Sequence, residues 1–381
     1  MSPPKWRKKT TWILFAVGLL GIAAAVFAAL KINRSLDDMN VKTDGALIVG
    51  GNTQPNDRME TPTNIGATVP DQADEPVEER EDFYMLLIGL DYRAGSGTMN
   101  TDTIIAAHVI PQTNKVKLMS LPRDLRIVLD DGERKINALF FEGYDYARRM
   151  TKANPELLSG RKVSLGGLTA PEEYFSSGIV HLRQQVENML DIKIKHSFLI
   201  HFETLIQLVD AVGGIDIDVK RSMQYDDPTD DTHIYFEPGP QKMDGRQALN
   251  YARFRMDNRG PQYTASDFDR AARQQEVIVA LADKLASWSS LARVFDILDI
   301  VANSFKTDMS KAQMMTFLAK YYGDFNGQSI ETIVMDGAWT GKYVIVDEQD
   351  LDEFRRRFTS IDDAPAATNY EVSLAMPSSP R

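Results

Sequence analysis

The sequence predicts an α/β domain in which strands and helices interleave, behind one N-terminal transmembrane helix. Short apolar runs bounded by Gly, Pro and Asn are typical of strands, and they alternate with segments whose apolar residues recur at helical spacing. Elements that alternate in this way favour a layered α/β arrangement. An uncharged apolar run near the N-terminus predicts the membrane helix.

The apolar run at residues 10–30 is rich in Leu, Ile, Val, Phe and Ala. At about 1.5 Å per residue it is just long enough to cross a hydrocarbon core of roughly 30 Å. Basic residues precede it and acidic residues follow from Asp37, so the positive-inside rule predicts a cytoplasmic tail at 1–9, a single-pass helix at 10–31 and an extracytoplasmic remainder. The alternative is a cleaved signal peptide, although the run exceeds the usual apolar region of such peptides. Either interpretation exports the remainder.

Charge and cysteine content exclude several classes of function. All 54 acidic residues follow Lys31, whereas five of the 43 basic residues do not, so the exported part carries a charge of about −16. This charge argues against a nucleic-acid partner bound through a basic surface. The chain has no cysteine, which excludes disulfides, cysteine-bound zinc and thiol catalysis.

The exported part divides by composition. Residues 32–82 have few large apolar residues and many Asp, Pro, Asn, Thr and Gly, and they predict a solvated linker. The main globular domain is expected at 83–285. Residues 286–363 are expected to form a part of helices and a strand, packed on that domain or continuous with it. Residues 364–381 are expected to be a flexible tail.

The elements of the domain are expected in the following order. Strands are predicted at 83–88, 103–110 and 115–121, with a hairpin connection at 111–114 and a loop at 157–165. Helices are predicted at 177–189, 202–212, 247–254 and 268–287, with a strand at 215–219. The C-terminal part predicts helices at 295–305 and 311–322 and a strand at 331–335.

Three polar clusters lie at the ends of predicted strands. Asp91 follows the first strand, Asp102 precedes the second and Arg123 follows the third. Ligand crevices commonly open at strand ends in α/β sheets. Asp91 and Asp102 could therefore hold a divalent cation through oxygen ligands. The alternative, that each carboxylate caps a turn or pairs with a neighbouring Arg, is the more common outcome for such spacing.

A fourth cluster contains five arginines within about twenty residues of this acidic chain. Its members are Arg253, Arg255, Arg259, Arg270 and Arg273. Arg270 and Gln274 are one helical turn apart and share a face. Because the guanidinium fork bonds two oxygens at once, the cluster predicts a phosphate or polyanion site. Ion pairs with nearby aspartates, including Asp257, are an equally open alternative.

These segments, taken in order, resemble the LytR–CpsA–Psr family of cell-wall glycopolymer ligases over about residues 83 to 280. The matching motifs are LIGLDYR at 87–93, TDT at 101–103, SLPRD at 120–124, KINA at 135–138, LVDAVGG at 208–214, MDGRQAL at 243–249, YARFR at 251–255 and DFDRAARQQ at 267–275. Each motif is weak alone, whereas the set in this order behind a membrane anchor is specific.

The resemblance implies a fold and an activity. The implied fold is a three-layer α/β/α domain with a central mixed twisted sheet flanked by helices. The implied activity is a magnesium-dependent phosphotransferase, with Mn²⁺ as an alternative ion. It moves a glycopolymer from a polyprenyl-pyrophosphate carrier to a peptidoglycan hydroxyl and forms a phosphodiester link. The implied partners are this lipid carrier, the peptidoglycan acceptor and the membrane lipid.

The resemblance also implies roles for individual residues. It places Asp91 and Asp102 on the metal. The pyrophosphate-binding set that it implies is Arg93, Arg123, Lys135, Arg253, Arg255, Arg270 and Gln274. Of the residues so implied, we expect Asp91, Arg123, Arg253 and Arg255 to be catalytic. Asp267 also falls on a motif position, without an assigned role.

Two departures from the family pattern and three functional questions stay open. Asn100 stands where relatives often carry a basic residue, and residues 256–266 form a longer stretch than usual.

An apolar channel for the lipid could lie along 198–206 and 208–212, although ordinary core packing also explains those residues. The general base is unidentified, with Asp91 as one candidate. A membrane-tethered binding protein or regulator, and a pyrophosphatase, are the competing functions, and the polymer carried could be teichoic acid, capsule or another wall polymer.

Overall fold

The computed structural model describes residues 36–49, 81–92, 99–228, 232–287, 305–321 and 327–361. Its strands are β1 (Phe83–Tyr92), β2 (Met99–Ile110), β3 (Lys115–Leu121), β4 (Arg126–Leu129), β5 (Gly132–Lys135), β6 (Lys162–Leu165), β7 (Leu168–Pro171), β8 (Ile194–His201), β9 (Ile215–Val219), β10 (Met223–Asp227), β11 (Thr232–Phe236), β12 (Gly239–Met243), β13 (Phe305–Thr307), β14 (Ile330–Val334), β15 (Ala338–Trp339) and β16 (Val344–Ile345). Its helices are α1 (Leu139–Ala153), α2 (Glu172–Leu190), α3 (Phe202–Ala211), α4 (Gly245–Arg253), α5 (Asp267–Ala286), α6 (Lys311–Tyr321) and α7 (Glu348–Thr359).

A six-stranded mixed sheet in the order β13-β8-β1-β2-β3-β14 forms the centre of the fold. Strands β1, β2 and β3 are an antiparallel meander, while β8 runs parallel to β1 and β14 runs parallel to β3. Helices pack on the sheet, which confirms the predicted mixed α/β architecture with a central sheet flanked by helices. Residues 157–165 are not all loop, because the hairpin β6–β7 begins at Lys162.

Side-chain alternation along β1 separates the two faces of the sheet. Leu86, Ile88 and Leu90 point into the main core, which α1 and α2 cover. Leu87 lies on the other face, where it packs near Ile278 of α5. The functional residues therefore have to be sought on the α5 face, because the α1–α2 face is filled.

Two glycines allow α1 and α2 to pack closely against each other. A Cβ on Gly143 would lie 2.4 Å from the carbonyl oxygen of Ser177, and one on Gly178 would lie 2.8 Å from Phe140. At both points the two helices are in direct contact, so a side chain in place of either glycine would push them apart.

The strands β9 to β12 and the helices α3 and α4 form a second, smaller core beside the sheet. Val209, Ile217 and Tyr251 are buried in it together with Val277 of α5. Helix α5 thus belongs to both cores. Gln275 fixes it to the sheet, since the buried amide nitrogen donates to Ser120 Oγ and to the carbonyl oxygen of Ile333, each at 2.9 Å.

Residues 36–49 pack on the domain, so the prediction of a solvated linker is wrong for this stretch. Residues 36–39 form a helical turn, and Leu36, Met39 and Val41 are completely buried or nearly so. The Val41 amide donates to the Thr307 carbonyl oxygen at 2.8 Å, beside the edge strand β13. Three apolar side chains at suitable positions are enough to cover the edge of the sheet. The polar composition of residues 32–82 as a whole did not reveal them.

Two cations, the buried Lys306 and the partly exposed Arg161, hold the carbonyl end of this turn. Lys306 Nζ donates to the Asp38 carbonyl oxygen and Arg161 Nη2 to that of Asn40, each at 2.8 Å. Burial lowers the pKa of Lys306 to about 8, against the raising effect of Asp38. A cation at the carbonyl end of a helical turn is the favourable arrangement for the helix dipole.

Several other predictions fall partly or wholly outside the described residues, among them the cytoplasmic tail at 1–9, the linker at 50–80 and the flexible tail at 364–381. The proposed transmembrane segment at 10–31 is among them, and none of the described helices combines the length and apolarity that a bilayer crossing needs. The helix predicted at 295–305 also lies outside, except for Phe305, which begins β13.

We expect Met39→Ala to lower the free energy of unfolding by about 2–5 kcal/mol, because it removes a fully buried side chain from a closed cluster. Met315→Ala is the matched control, since Met315 is exposed on α6 and its truncation should cost less than about 0.5 kcal/mol. Thermal unfolding of the full chain in detergent measures both. Equal stability of the two variants would mean that residues 36–49 are not part of the cooperative core.

Candidate functional site

The ends of β1, β2 and β3 meet at one edge of the sheet because the three strands form a meander. Gly89 pairs with Thr103 and Leu90 pairs with Thr101, which leaves Asp102 as an additional residue in β2. Such a bulge re-aims the side chain of the inserted residue. Gly89 has to be glycine here, since a Cβ would lie 2.8 Å from the Cβ of Thr103.

A cavity of about 380 Å³ opens between this edge and helices α3, α4 and α5. One end of it is polar and is lined by Asp91, Asp102, Arg123, Arg253, Arg255, Arg270 and Gln274. The rest of the wall is mainly apolar and includes Leu87, Ile105, Leu205, Leu249, Val277 and Ile278. The fold thus brings seven of the predicted site residues to one place, next to an apolar chamber.

The start of α4 determines where Arg253, at the end of this helix, and Arg255, just beyond it, lie. Asp244 and Gln247 form a capping box, and Asp210 Oδ1 accepts a hydrogen bond from the Gly245 amide at 2.7 Å. A Cβ on Gly245 would lie 2.2 Å from the Ile206 carbonyl oxygen, so α4 packs directly on α3. The motifs at 208–214 and 243–249 therefore have a structural role, because they form the junction between α3 and α4.

Helix α4 ends at Arg253, and the chain then becomes extended. In an extended chain alternate side chains share a side. Phe254 is 1% exposed and points into the second core, while Arg253 and Arg255 both line the cavity. The alternation of charged and aromatic residues in YARFR thereby presents two guanidinium groups to one ligand.

Asp267, the first residue of α5, contacts three guanidinium groups. Its Oδ1 lies 3.5 Å from Arg255 Nε and 3.3 Å from Arg270 Nη2. Its Oδ2 lies 3.6 Å from Arg123 Nε. One carboxylate thus bridges a strand end, the segment after α4 and a helix. In the sequence, Asp267 falls on a motif position to which no role was assigned.

The surroundings of Arg123 and Arg270 differ, and those of Arg270 favour a bound anion. Burial tends to lower the pKa of Arg123, but Asp102, Asp267 and Asp124 outweigh it and raise the pKa. For Arg270 the pKa is lowered, first by burial and then by the positive charge of Arg123. An anion beside Arg270 would offset both the burial and the repulsion from Arg123.

One face of helix α5 lines the cavity. Arg270 and Gln274 lie one turn apart and line the cavity, as their spacing predicts. Arg273 points elsewhere: its Nε donates to the Tyr251 carbonyl oxygen at 3.1 Å, and it also donates to the Phe254 carbonyl oxygen. It joins α5 to the end of α4 and is not available to a ligand.

The alternative of an ion pair is correct for Arg259. Its Nε and Nη2 donate to the two carboxylate oxygens of Asp257 at 2.9 and 2.7 Å. These hydrogen bonds, against the raising effect of burial, lower the pKa of Asp257 to about 2. The five-arginine cluster therefore splits into three cavity residues and two structural ones.

One described member of the predicted pyrophosphate set, Lys135, is not among the residues that line the cavity. Lys135 Nζ pairs with Asp124 Oδ1 at 2.7 Å and lies 5.9 Å from the centre of the Trp339 ring. It reaches the cavity only indirectly, because Asp124 Oδ2 is 3.6 Å from Arg123 Nε. Arg93 lies outside the described residues.

His201 and the apolar wall supplied by α5 escaped the sequence analysis. His201 lines the cavity, and its Nε2 donates to the Tyr92 carbonyl oxygen at 3.0 Å, which ties the end of β8 to that of β1. The only sequence signal for it is its position at the start of a helix. Val277 and Ile278 gave no signal beyond helical periodicity, which core packing explains equally well.

The donor set fits a magnesium ion that is completed by a ligand. Asp91 and Asp102 are the carboxylates that line the cavity, and Asp102 Oδ1 also accepts from Arg123 Nη1 at 3.2 Å. Among the described residues no group of three or more His, Asp or Glu is placed to hold a metal by itself. Magnesium commonly takes one or two carboxylates and completes its shell with water and substrate phosphates.

Comparison with known proteins places these features in a family context. The chain is 26% identical over 267 residues to the polyisoprenyl-teichoic acid–peptidoglycan teichoic acid transferase TagV of Bacillus subtilis, covering 68% of this chain and 58% of TagV. It is 28% identical over 289 residues to the transferase TagU of Oceanobacillus iheyensis, covering 74% and 77%.

Solved structures agree on the fold. The crystal structure of B. subtilis TagV matches with a TM-score of 0.54 at 24% identity, covering 74% of this chain and 96% of that one. A Streptococcus agalactiae protein matches with a TM-score of 0.55 at 26% identity, covering 73% and 86%. The model of the LytR_cpsA_psr family matches residues 50–359, far more than half of the sequence, and the chain belongs to that family.

Proposed function

We propose that the protein is a phosphotransferase that moves a glycopolymer from a polyprenyl-pyrophosphate carrier to a peptidoglycan hydroxyl. The observation that carries this proposal is the single cavity with an acidic and arginine-rich end and an apolar wall. A pyrophosphate joined to a prenyl chain has the same division into a charged head and an apolar tail. Relatives named as transferases between polyisoprenyl-teichoic acid and peptidoglycan support the same class of reaction.

The reaction is a displacement at the phosphorus that carries the sugar. The acceptor oxygen forms a new bond to that phosphorus, and the bond between phosphorus and the bridging oxygen breaks. Polyprenyl phosphate leaves, and the acceptor's proton passes to a base. The products are a phosphodiester between polymer and peptidoglycan, and the lipid monophosphate.

The described side chains can stabilise this displacement electrostatically. Arg123 and Arg270 flank the place where the pyrophosphate charge would lie, and Arg253 and Arg255 approach it from the end of α4. Charge that moves to the departing phosphate would be stabilised by these fixed cations in a partly buried site. Asp91, if it is not fully committed to a metal ion, is the candidate for the proton acceptor, as a carboxylate in the same wall.

Asp91 and Asp102 would hold a magnesium ion, which would supply charge neutralisation for the phosphate oxygens. The arginines would orient the pyrophosphate, and Asp267 would hold Arg123, Arg255 and Arg270 in place through its ion pairs with them. Gln274 adds an amide donor on the same helical face as Arg270.

Anchoring in the cell membrane by residues 10–31 belongs to the same proposal. The lipid carrier is confined to the bilayer, so an extracytoplasmic enzyme gains from being held there. The chain becomes part of the packed domain at Leu36, directly after the proposed helix. The domain would therefore sit close to the membrane rather than at the end of a long tether.

Incubation of the full chain in detergent with a short prenyl-pyrophosphoryl oligosaccharide, peptidoglycan fragments and Mg²⁺ should give a phosphodiester-linked product. Mass spectrometry of the soluble products measures it. Free sugar phosphate without the linked product would identify a pyrophosphatase instead. Binding without any product would identify a lipid-sensing protein.

Arg255→Ala should reduce the transfer rate about 100-fold or more, because a fixed cation at the site of charge development is removed. Arg149→Ala is the matched control, since Arg149 is exposed on α1, on the opposite face of the sheet. The initial rate at saturating donor measures the effect. An unchanged rate in Arg255→Ala would refute this site.

Removal of divalent ions with EDTA should abolish transfer, and Mg²⁺ or Mn²⁺ should restore it. Asp91→Asn and Asp102→Asn should weaken Mn²⁺ binding in the presence of a prenyl pyrophosphate, as measured by electron paramagnetic resonance. Asp145→Asn on α1, which pairs only with nearby arginines, provides the control. Transfer that persists in EDTA would contradict the metal site while leaving the arginine site intact.

A further inference from the structure

His201 lies at the junction of β8, α3 and the cavity. It is the last residue of β8 and directly precedes α3. It is only 2% exposed, yet it belongs to the cavity wall, together with Phe202 and Leu205 of α3 and Asp91 of β1. Burying the polar atoms of an imidazole costs free energy unless they are hydrogen-bonded. The partners of the two ring nitrogens therefore show what the ring does there.

Both ring nitrogens of His201 contact backbone groups. Nε2 lies 3.0 Å from the Tyr92 carbonyl oxygen, and Nδ1 lies 3.3 Å from the Glu203 amide nitrogen. A carbonyl oxygen only accepts a hydrogen bond and an amide N–H only donates one, so the ring proton is on Nε2 and Nδ1 is the acceptor. Neither nitrogen is left to exchange a proton with a substrate. His201 is therefore not the proton acceptor of the reaction, although it lines the cavity.

The Nε2 contact extends the attachment of β1 to β8 beyond their last backbone pair. The parallel pairing of the two strands ends at Leu90, which pairs with His201. Asp91 and Tyr92 follow, with β2 as their partner on the other side. The imidazole takes the place of a strand partner at Tyr92, so Asp91 lies between two residues that are both held on the β8 side. The position of the Asp91 carboxylate therefore depends on this hydrogen bond.

The Nδ1 contact fixes the start of α3. His201 is the N-cap residue of this helix, and its side chain accepts the hydrogen bond from the Glu203 amide. An N-cap side chain satisfies an amide that has no partner inside the helix. One ring thus holds both the strand end that carries Asp91 and the helix that supplies part of the apolar wall.

A glycine turn lies against the other side of the ring. Gly166, in the turn of the hairpin β6–β7, has a φ of +55°, and a Cβ there would lie 2.4 Å from Cγ and Cδ2 of His201. Gly167 also has a positive φ, of +83°, but a Cβ there would meet nothing within 4 Å. Leu165, directly before the turn, is completely buried in the main core. The turn is thus fixed to the core and restricts the movement of the imidazole.

We propose that His201 is a positioning residue that sets the Asp91 carboxylate for the metal ion and the pyrophosphate. It acts through the Tyr92 carbonyl oxygen, and the turn at Gly166 holds the ring in the orientation that this bond requires. The inference rests on the proposed function, because it takes Asp91 as a ligand of the metal. It adds a contribution to the site from the hairpin β6–β7, whose residues are not among those that line the cavity.

His201→Asn and His201→Gln separate the two hydrogen bonds of the ring. The asparagine oxygen can replace Nδ1 as the cap of α3, whereas this shorter side chain does not reach Tyr92. The glutamine amide nitrogen can reach the position of Nε2 and donate to Tyr92, but glutamine is not a preferred N-cap residue.

Gly166→Ala and Gly167→Ala form a second matched pair. Both variants place an alanine at a positive φ, which strains the backbone in each case. Only Gly166→Ala also forces the new Cβ against the ring of His201. The difference between the two variants therefore reports the contact with the ring rather than the strain of the turn.

Electron paramagnetic resonance on the full chain in detergent measures the Mn²⁺ affinity in the presence of a short prenyl pyrophosphate. We expect His201→Asn and Gly166→Ala to lose about tenfold or more in this affinity, as for lost outer-shell support of a metal ligand. His201→Gln and Gly167→Ala should stay within about twofold of the wild type. Thermal unfolding should show the opposite order for the two histidine variants, because only His201→Gln loses the cap of α3.

An unchanged Mn²⁺ affinity in His201→Asn, or equal losses in His201→Asn and His201→Gln, would overturn the inference. So would a loss in Gly167→Ala as large as that in Gly166→Ala. A wild type that binds no Mn²⁺ would refute the inference together with the metal site. If the Mn²⁺ affinities follow the expected pattern and the wild type forms no phosphodiester-linked product, the proposed transfer function alone fails.

Discussion

The arrangement of the site depends on one carboxylate among several guanidinium groups. Asp267 lies within ion-pairing distance of Arg255 and Arg270 on one oxygen and of Arg123 on the other. Three cations in a partly buried space repel one another and lose hydration, so they need a counter-charge to stay together. Asp267 is the first residue of a helix capped by Ser266, where the helix dipole favours a negative charge. Asp267 therefore supplies the negative charge from a position in which it also stabilises α5.

The remaining contacts keep the elements that carry these charges in register. Gln275 joins α5 to β3 and β14, and Arg273 joins it to the end of α4. The bulge at Asp102 brings a second carboxylate to the sheet edge. Every charged group of the cavity thus lies on a strand end, on a helix or directly after one. Groups on such elements hold their geometry better than groups on loops, which transition-state stabilisation by fixed charges requires.

The packed N-terminal segment determines where the chain enters the domain. Residues 36–49 fasten the chain to the edge of the sheet through buried side chains and through hydrogen bonds of Arg161 and Lys306. The domain described here therefore has a fixed attachment on the side that leads to the proposed membrane helix.

The sequence by itself determined the mixed α/β class, the order of most elements and the seven residues that line the polar end of the cavity. Periodicity indicates which face of a helix or strand is buried, and the polar clusters at strand ends indicated which residues could lie close together. Only the tertiary structure separated Arg253, Arg255 and Arg270 from Arg259 and Arg273, because spacing along a chain does not reveal whether a guanidinium group meets a carbonyl, a carboxylate or open space. The ion pair of Lys135, the packing of residues 36–49 and the role of Asp267 were missed for the same reason. Each depends on partners that are distant in sequence and that only the folded chain brings into contact.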